Sequence, residues 1–559
     1  MADKKIIYSI LLILILTLHL IFVIISMRQP LLGDDLLFAE GAKSVANIGK
    51  PLIDYGINNP GFYTLWHIPL YIYIMGGFVY LFGFNIYSLR ATAAIFNFLT
   101  IILVYLITKE ILKNNKNKEE WSLFAAAIYA LNPIIIQNSM LLDIDGGVLN
   151  FAMYLFLYLY IKQKNFLYLI PSLIFVFLSK EIGPVVLFGG IFLIELATLE
   201  FKKILKLFLL FFISAGLALG IWWIFSQFLG LNFMTPLLHN FAFGKRDLSL
   251  IRILTSVWEF KNFVYFAIPF LIILFFIFTI KFYLELIKER KKINEEEKKN
   301  ALLFNIIAIL IVIMYFYFGR SAWGFPKYQV IAVPAISIFI TYMLSKSSIM
   351  QRFYELLKSK KLFFIVLLII LAVYFMIIVK DPLIPEFDST ATNVNMMLAL
   401  KLVITNFVLY IIVPILICLI FFSLFKSKGK FAIILILLTL FAFVYIDILH
   451  TVVNYSTYSK YGTSGTWEVV HYLNEKDISA KEVATHSHLG MLLNMSEYYE
   501  ITFVYYSQED FKKGIVDNPD INYIIIYERD IDRIGKNMKY FGLQKQIGSY
   551  YIFKKNPQF

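Results

Sequence analysis

The chain has 559 residues, of which 60% are apolar and only 16% carry a charge. Soluble proteins carry about 25% charged residues, so this composition excludes an ordinary soluble globular fold. The formal net charge of +13 would suit a nucleic-acid partner, but Lys and Arg cluster in short loops between long apolar runs. Membrane orientation accounts for that distribution, and no nucleic-acid partner is expected.

The first apolar run, residues 6–27, follows Lys4 and Lys5. It is longer than the apolar region of a signal peptide and ends before an Arg-Gln-Pro sequence rather than in small residues. We therefore expect a retained first transmembrane helix whose N-terminus is cytoplasmic.

Further apolar runs follow, each near the roughly 20 residues that cross a bilayer. They cover residues 86–112, 121–141, 146–162, 166–179, 184–200, 204–226, 263–287, 301–319, 328–345, 362–380, 401–425 and 431–450. Together with the first run they predict an α-helical polytopic membrane protein with about 13 transmembrane helices. The domain so defined covers residues 1–455.

Residues 62–82 are also apolar, but His67, Pro69 and a Gly-Gly pair interrupt them, and we interpret them as re-entrant or interfacial. With that interpretation, six Lys/Arg-rich loops fall on the same side as the N-terminus, which makes that side cytoplasmic. These loops cover residues 113–118, 162–164, 202–206, 288–299, 352–361 and 426–430. The long loops 28–85 and 227–262 then face the outside of the cell membrane.

The composition changes after the last apolar run. Residues 460–559 mix polar and apolar positions, with strand-like segments at 523–527 and 549–553 and helix-like stretches between them. They predict a small soluble α/β domain. The topology puts this domain on the extracytoplasmic side.

An acidic pair, Asp34-Asp35, follows the first helix after Gly33. Two adjacent carboxylates at a membrane interface are costly unless they are solvated or used. An amphipathic stretch follows them, so the pair would also serve as a helix N-cap and first turn. Spacing alone leaves both interpretations open.

Other motifs follow in a fixed order: Trp66-His67-Ile68-Pro69-Leu70, Phe82-Gly83, Arg90 at the start of the next span, Leu141-Leu142-Asp143-Ile144-Asp145-Gly146, Lys180, and Phe325-Pro326-Lys327-Tyr328. With the acidic pair, this series resembles the C-type membrane glycosyltransferases. Within that class, it resembles the protein O-mannosyltransferases and the bacterial aminoarabinose transferase of lipid A. Two departures stand out: the acidic pair is Asp-Asp where the family usually has Asp-Glu, and a Pro-Pro element is reduced to Ile68-Pro69.

The resemblance implies the C-type fold and an inverting transfer of a sugar. The donor would be a polyprenyl (dolichyl or undecaprenyl) phosphate held among membrane lipids. The acceptor would be a protein, lipid or glycan on the outer face. It assigns catalytic roles to a set of carboxylates: Asp34 as the base, with Asp35 and Asp145 as further candidates. It assigns donor phosphate and sugar binding to a second set: Arg90, Lys180, Lys327, Tyr328 and His67.

Each of these assignments has a structural alternative. Arg90 would equally anchor its helix at the interface, Lys180 would pair locally with Glu181, Lys327 would extend from a helix end to water, and His67 would pack at the interface.

A divalent metal held by Asp34, Asp35, Asp143 and Asp145 is a further alternative, because hard cations prefer oxygen ligands. The closer resemblance to monophosphate-donor relatives favours no catalytic metal and no cofactor. Two other functions remain open: a metal-dependent oligosaccharyl transferase that uses a diphosphate donor, and a lipid-linked sugar flippase or transporter. A transporter predicts charges inside the spans, which are nearly charge-free here.

Overall fold

The structure is a computed structural model of the whole chain. It describes residues 2–27, 35–53, 62–63, 70–230, 260, 263–264, 266–289, 295–318, 326–378, 405, 407–423, 430–461, 466–485, 499–501, 508–527, 531, 539–548 and 550–556. Most of these residues are helical, and a small β-sheet occupies the C-terminal part.

The N-terminal part of the chain forms ten described helices. They are α1 (Ala2–Ser26), α2 (Asp35–Ile48), α3 (Leu70–Phe82), α4 (Ile86–Ile111), α5 (Lys118–Ala130), α6 (Pro133–Asn138), α7 (Gly147–Ile161), α8 (Phe166–Ser179), α9 (Ile182–Ala197) and α10 (Phe201–Phe228). Two short strands, β1 (Leu52–Ile53) and β2 (Phe62–Tyr63), pair antiparallel between α2 and α3 in the sequence.

The helical part continues with α11 (Pro269–Glu289), α12 (Glu296–Phe318), a 3₁₀ helix (Lys327–Ala332), α13 (Val333–Ser345), α14 (Ile349–Ser359), α15 (Lys361–Ile378), a π-helical turn (Val408–Ile412), α16 (Val413–Ser423) and α17 (Lys430–Tyr461). A large apolar core runs through the bundle and is lined mainly by Leu, Ile, Val and Phe.

Five described segments are long and apolar enough to cross a membrane: Lys4–Ser26, Ile86–Ile111, Phe201–Phe228, Pro269–Lys288 and Lys327–Ser345. One pair of helices, Ile349–Ser359 and Lys361–Ile377, passes the same test when the two are taken together, with a bend of 98° at the break between them. These helices indicate an integral membrane protein. Shorter apolar helices, α7, α8 and α9 among them, complete the bundle, and the count of about 13 spans stays a prediction.

Two segments differ from single continuous spans. The predicted span 121–141 divides into α5 and α6, because Pro133 has no N–H and cannot continue a helix; it instead opens α6, where Asn132 caps the first turn. Within the apolar stretch 62–82, the described residues form β2 and the 13-residue helix α3. At 1.5 Å per residue this helix is about 20 Å long, short of the ~30 Å hydrocarbon core.

Helices α4 and α7 approach each other closely at one glycine. A Cβ on Gly147 would lie 2.5 Å from the carbonyl oxygen of Ala93, so only glycine fits between the two backbones. This contact brings the first turn of α7 against the first third of α4. It therefore fixes the loop that precedes α7 relative to the start of α4.

The C-terminal sheet has five strands in the order β4-β3-β5-β7-β6. The strands are β3 (Val483–Thr485), β4 (Tyr499–Glu500), β5 (Tyr523–Tyr527), β6 (Phe541–Ile547) and β7 (Tyr550–Lys555). β3 is parallel to β4 and β5, whereas β7 is antiparallel to β5 and β6. The two strand-like segments of the sequence thus lie in neighbouring strands of one mixed sheet.

Helices cover both faces of this sheet. Alternating residues of β5 divide between two cores: Ile524 and Ile526 pack with α19 (Gln508–Phe511) and the turn that follows it, and Ile525 packs with α18 (Thr466–Glu475). Val470 of α18 also packs against a separate cluster that includes Tyr71 and Leu142. Helix α18 therefore contacts a cluster that includes Leu142, a residue of the loop before α7.

Candidate functional site

The loop between α6 and α7 is held from two sides by hydrogen bonds. Asp35, the first residue of α2, accepts a hydrogen bond from the backbone N–H of Leu142 at 3.0 Å. The hydroxyl of Tyr71 on α3 donates to the carbonyl of Leu141 at 3.4 Å. Asp35 and Tyr71 are both buried. The helices that follow the first apolar run therefore fix this loop, called here the acidic corner (residues 141–146).

Two lysine–aspartate pairs converge on the acidic corner. Lys327 Nζ lies 2.6 Å from Asp143 Oδ2, and Lys180 pairs with Asp145. All four side chains are at most 10% exposed. The ring of Tyr328 contacts both cations, with its centroid 5.0 Å from Lys180 Nζ and 5.2 Å from Lys327 Nζ. The site thus combines two buried cations, two carboxylates and one aromatic face.

The two aspartates differ in their electrostatic surroundings. Burial alone would raise the pKa of Asp143, but the positive charges of Lys327 and Lys180 outweigh it and hold that pKa below its ordinary value. Burial raises the pKa of Asp145, and the neighbouring carboxylate of Asp143 adds to this although Lys180 opposes it.

Lys180 stays charged in this environment. Burial works against its ammonium form, but the carboxylates of Asp145 and Asp143 outweigh the burial and raise the pKa of Lys180 above its ordinary value. Lys180 thus has a partner 35 residues away, beyond the local pair with Glu181 that the sequence allowed. Lys327 is buried in its pair with Asp143, so it does not extend to water.

Arg90 joins two helices at the start of α4. Its guanidinium donates to the carbonyl of Met27, the residue that follows α1, and only 2% of the residue is exposed. Asn85 caps the same turn of α4 by accepting from the backbone N–H groups of Tyr87 and Ser88 at 3.0 Å. Arg90 therefore holds the end of α1 against the first turns of α4.

Tyr154 supports the 3₁₀ helix that carries Lys327 and Tyr328. Its hydroxyl donates to the carbonyl of Ile331 at 2.9 Å and accepts from the N–H of Ala335 at 3.0 Å. These two bonds satisfy backbone groups at the junction between the 3₁₀ helix and α13. Tyr154 belongs to α7, so the same helix that follows the acidic corner also fixes the lysine that pairs with it.

The remaining predicted residues are Asp34 and His67, which lie outside the described residues. Of the predicted donor-binding set, the structure brings Lys180, Lys327 and Tyr328 together. Among the residues that the structure describes, no group of three or more His, Cys, Asp or Glu side chains is arranged to hold a metal ion.

The structure brings to the site three residues to which the sequence assigns no catalytic or donor-binding role. The sequence points to Asp143 only as a possible metal ligand, and the pairing of Asp143 with Lys327 spans 184 residues. Tyr71 and Tyr154 lie in apolar stretches where a tyrosine is common. The Asp-x-Asp spacing of the corner is the one signal that points to Asp143.

Two of the Lys/Arg-rich loops, 113–118 and 162–164, lie at the opposite helix ends from the acidic corner. α4 begins near Arg90 and ends where Lys109 pairs with Glu119 at 2.8 Å. α7 begins next to Asp145 and ends before Lys162. The acidic corner and these two basic loops therefore lie at opposite ends of α4 and α7.

Comparison with known proteins relates the chain to one family and to solved structures of similar fold. Residues 66–225 match the family of dolichyl-phosphate-mannose-protein mannosyltransferases. This range contains Arg90, Asp143, Asp145 and Lys180. No curated protein sequence matches the chain significantly.

Solved structures match over nearly the whole chain. ArnT from Cupriavidus metallidurans in the apo state superposes with a TM-score of 0.59 at 15% identity, covering 99% of this chain and 98% of that one. ArnT bound to undecaprenyl phosphate gives a TM-score of 0.58 at 14% identity and 98% of both chains. The archaeal oligosaccharyltransferase AglB from Archaeoglobus fulgidus, in complex with an inhibitory peptide and a dolichol-phosphate, gives 0.46 at 13% identity, covering 99% and 75%.

The family match and the shared fold together indicate a membrane glycosyltransferase with the C-type fold. Within that class, the chain resembles the protein mannosyltransferases and the aminoarabinose transferase, as the order of its motifs predicted.

Proposed function

We propose that the chain is an inverting glycosyltransferase that moves one sugar from a polyprenyl phosphate to an acceptor at the outer membrane face. The observation that carries this proposal is the acidic corner, with two buried lysine–aspartate pairs around Tyr328 and with Asp35 bonded to the same loop. The undecaprenyl phosphate bound to a structure of the same fold supports a donor of this chemical class.

The proposed reaction is a single displacement. An acceptor hydroxyl or amine attacks the anomeric carbon, the bond from that carbon to the phosphate oxygen breaks, and polyprenyl phosphate leaves. A carboxylate takes the acceptor's proton, and cations stabilise the charge that develops on the departing phosphate. Charge-assisted bonds from buried cations suit this task because they are strong and already oriented.

The proposed roles follow from the partners of each residue. Asp34 is the base, next to Asp35, whose carboxylate is occupied by the N–H of Leu142. Lys180 and Lys327 are the phosphate partners, and Asp143 and Asp145 hold them in place until the donor binds. Asp145 is also a candidate for sugar-hydroxyl binding.

Arg90 and His67 complete the proposed donor site. The contact from Arg90 to Met27 supports an additional anchoring role for Arg90 at the end of α1. The sidedness is likewise a proposal: the N-terminus is cytoplasmic, and residues 460–559 form an outer domain near the acceptor. Its support is that the corner and the two basic loops 113–118 and 162–164 lie at opposite ends of α4 and α7.

The test is a transfer assay with purified protein, a radiolabelled polyprenyl-phosphate sugar and a panel of peptide, lipid and glycan acceptors. We expect Asp34→Asn to lower kcat by about 10²- to 10⁴-fold, the usual contribution of a general base. Asp517→Asn is the matched control, because Asp517 is exposed in the C-terminal part and distant in sequence from the corner. Full transfer by Asp34→Asn would contradict the assignment of the base.

A further inference from the structure

A buried asparagine lies directly against the acidic corner. Asn138, the last residue of α6, is fully buried, and a Cβ on Gly146 would lie 2.7 Å from its Nδ2 and 2.9 Å from its Oδ1. Real side chains essentially never approach so closely, so Gly146 is required while the carboxamide stays where it is. Gly146 directly follows Asp145, the partner of Lys180.

The carboxamide of Asn138 is held in place by a second asparagine. Asn97 of α4 donates to Asn138 Oδ1 at 2.9 Å. The Oδ1 of Asn97 accepts from the hydroxyl of Tyr129 on α5 at 3.0 Å and from Asn150 of α7 at 3.4 Å. Four helices thus meet in one network of three asparagines and one tyrosine, called here the asparagine network.

Stability alone does not account for this network. Buried polar groups in an apolar bundle cost free energy unless each is hydrogen-bonded, and apolar side chains would pack there at lower cost. Asn138 Nδ2 and Asn150 Oδ1 are buried and have no hydrogen-bond partner within the described part of the chain. A network that is only partly satisfied suggests a requirement for placement rather than for stability.

We propose that Asn138 is a positioning residue: held by Asn97, it sets the backbone at Gly146 and so directs the Asp145 carboxylate at Lys180. The contact chain runs from Tyr129 through Asn97 and Asn138 to the corner. This inference rests on the proposed transfer reaction for its catalytic consequence. Its structural consequence, the state of the Lys180–Asp145 pair, is independent of that reaction.

The first measurement is the rate at which acetic anhydride labels Lys180, followed by mass spectrometry of the purified full-length protein. We expect Asn138→Ala to speed labelling of Lys180, because a displaced Asp145 no longer holds the ammonium in its buried pair. Asn305→Ala is the matched control: Asn305 is also fully buried and donates to Thr279 at 2.7 Å, within α11 and α12 rather than at the corner. An unchanged labelling rate in Asn138→Ala would overturn the proposal, whether or not the protein transfers sugar.

The second measurement is a mutant cycle on the transfer reaction. We expect Asn138→Ala and Gly146→Ala each to lower kcat by about 10- to 100-fold with little change in KM, since misplacing a reacting group costs this much. The Cβ that Gly146→Ala adds has room once Asn138→Ala has removed the carboxamide, so the double variant should be less impaired than the product of the two single effects. A merely structural role would instead lower the amount of folded protein and leave kcat per folded molecule unchanged.

The two measurements separate failure of the inference from failure of the proposed function. If wild-type protein transfers no sugar from any polyprenyl-phosphate donor while Asn138→Ala still exposes Lys180, the positioning role stands and the reaction is wrong. If transfer occurs but neither kcat nor Lys180 labelling responds to Asn138→Ala, the positioning role is wrong.

Discussion

Removing one partner of the buried pair of Asp143 and Lys327 should destabilise the protein, whereas replacing both partners should not. Lys327→Met leaves the Asp143 carboxylate buried without the cation that lies 2.6 Å away. Removing one partner of a buried pair destabilises a protein by about 3–5 kcal/mol, mainly because the other charge is left uncompensated. Asp143→Asn should cost a similar amount, because it leaves a buried ammonium group.

The double variant Asp143→Asn/Lys327→Met separates stability from function. Replacing a whole buried pair by neutral side chains is often neutral or stabilising by about 1–4 kcal/mol. We therefore expect the apparent Tm of the double variant to return to the wild-type value or above it. Transfer should be lost in Lys327→Met and in the double variant, because in both the phosphate has lost one of its two proposed cations.

The assay follows tryptophan fluorescence during heating of each variant in lipid nanodiscs, with transfer measured on the same preparations. We expect the apparent Tm of both single variants to lie below that of wild type and the apparent Tm of the double variant to lie near it. A double variant that melts as early as the single variants would refute the uncompensated-charge argument. A double variant with wild-type transfer would refute the role of Lys327.

Three further predictions follow from the packing and the charges. Gly147→Ala forces a Cβ against the backbone of α4 and should destabilise the protein by about 1–3 kcal/mol, whereas Gly220→Ala, with nothing within 4 Å, should be neutral or slightly stabilising in the same thermal assay. Tyr154→Phe removes the acceptor of a buried N–H and should cost about 1–3 kcal/mol, with Lys327 then labelled faster by acetic anhydride. The pKa of Asp143 is held below its ordinary value, so the ionised carboxylate stabilises the folded protein. This contribution is complete above about pH 4 and is lost as the pH falls through the folded-state pKa. The acid-induced drop in apparent Tm should therefore be smaller in Asp143→Asn/Lys327→Met than in wild type.

Much of the fold can be predicted because membrane helices consist of long uninterrupted apolar runs. The predicted spans 86–112, 146–162 and 166–179 end within one residue of α4, α7 and α8. The sequence predicts a continuous span over 121–141 because apolar content dominates over a single proline in such a window. The structure breaks it at Pro133, and this break creates α6 and the turn that precedes the acidic corner.

The site can be predicted in part. The motif order points to Asp145, Lys180, Lys327 and Tyr328, and the structure brings these four together. Which lysine pairs with which aspartate cannot be predicted from the sequence, because the pairing depends on how helices far apart in sequence pack.

The asparagine network cannot be predicted from the sequence for a related reason. Asn97, Asn138 and Asn150 are single polar residues in apolar helices, and nothing in their spacing along the chain shows that they meet. The packing of α4 against both α6 and α7 brings them into contact.

The central claim is that the donor is a sugar on a polyprenyl monophosphate, transferred without a catalytic metal. The most direct measurement compares a radiolabelled polyprenyl-monophosphate sugar with the matching diphosphate donor, with and without EDTA, and follows the release of the lipid phosphate together with labelled product. The account predicts turnover of the monophosphate donor that EDTA does not reduce, with inversion at the anomeric carbon. Turnover of the diphosphate donor alone, abolished by EDTA and restored by a divalent cation, would contradict it.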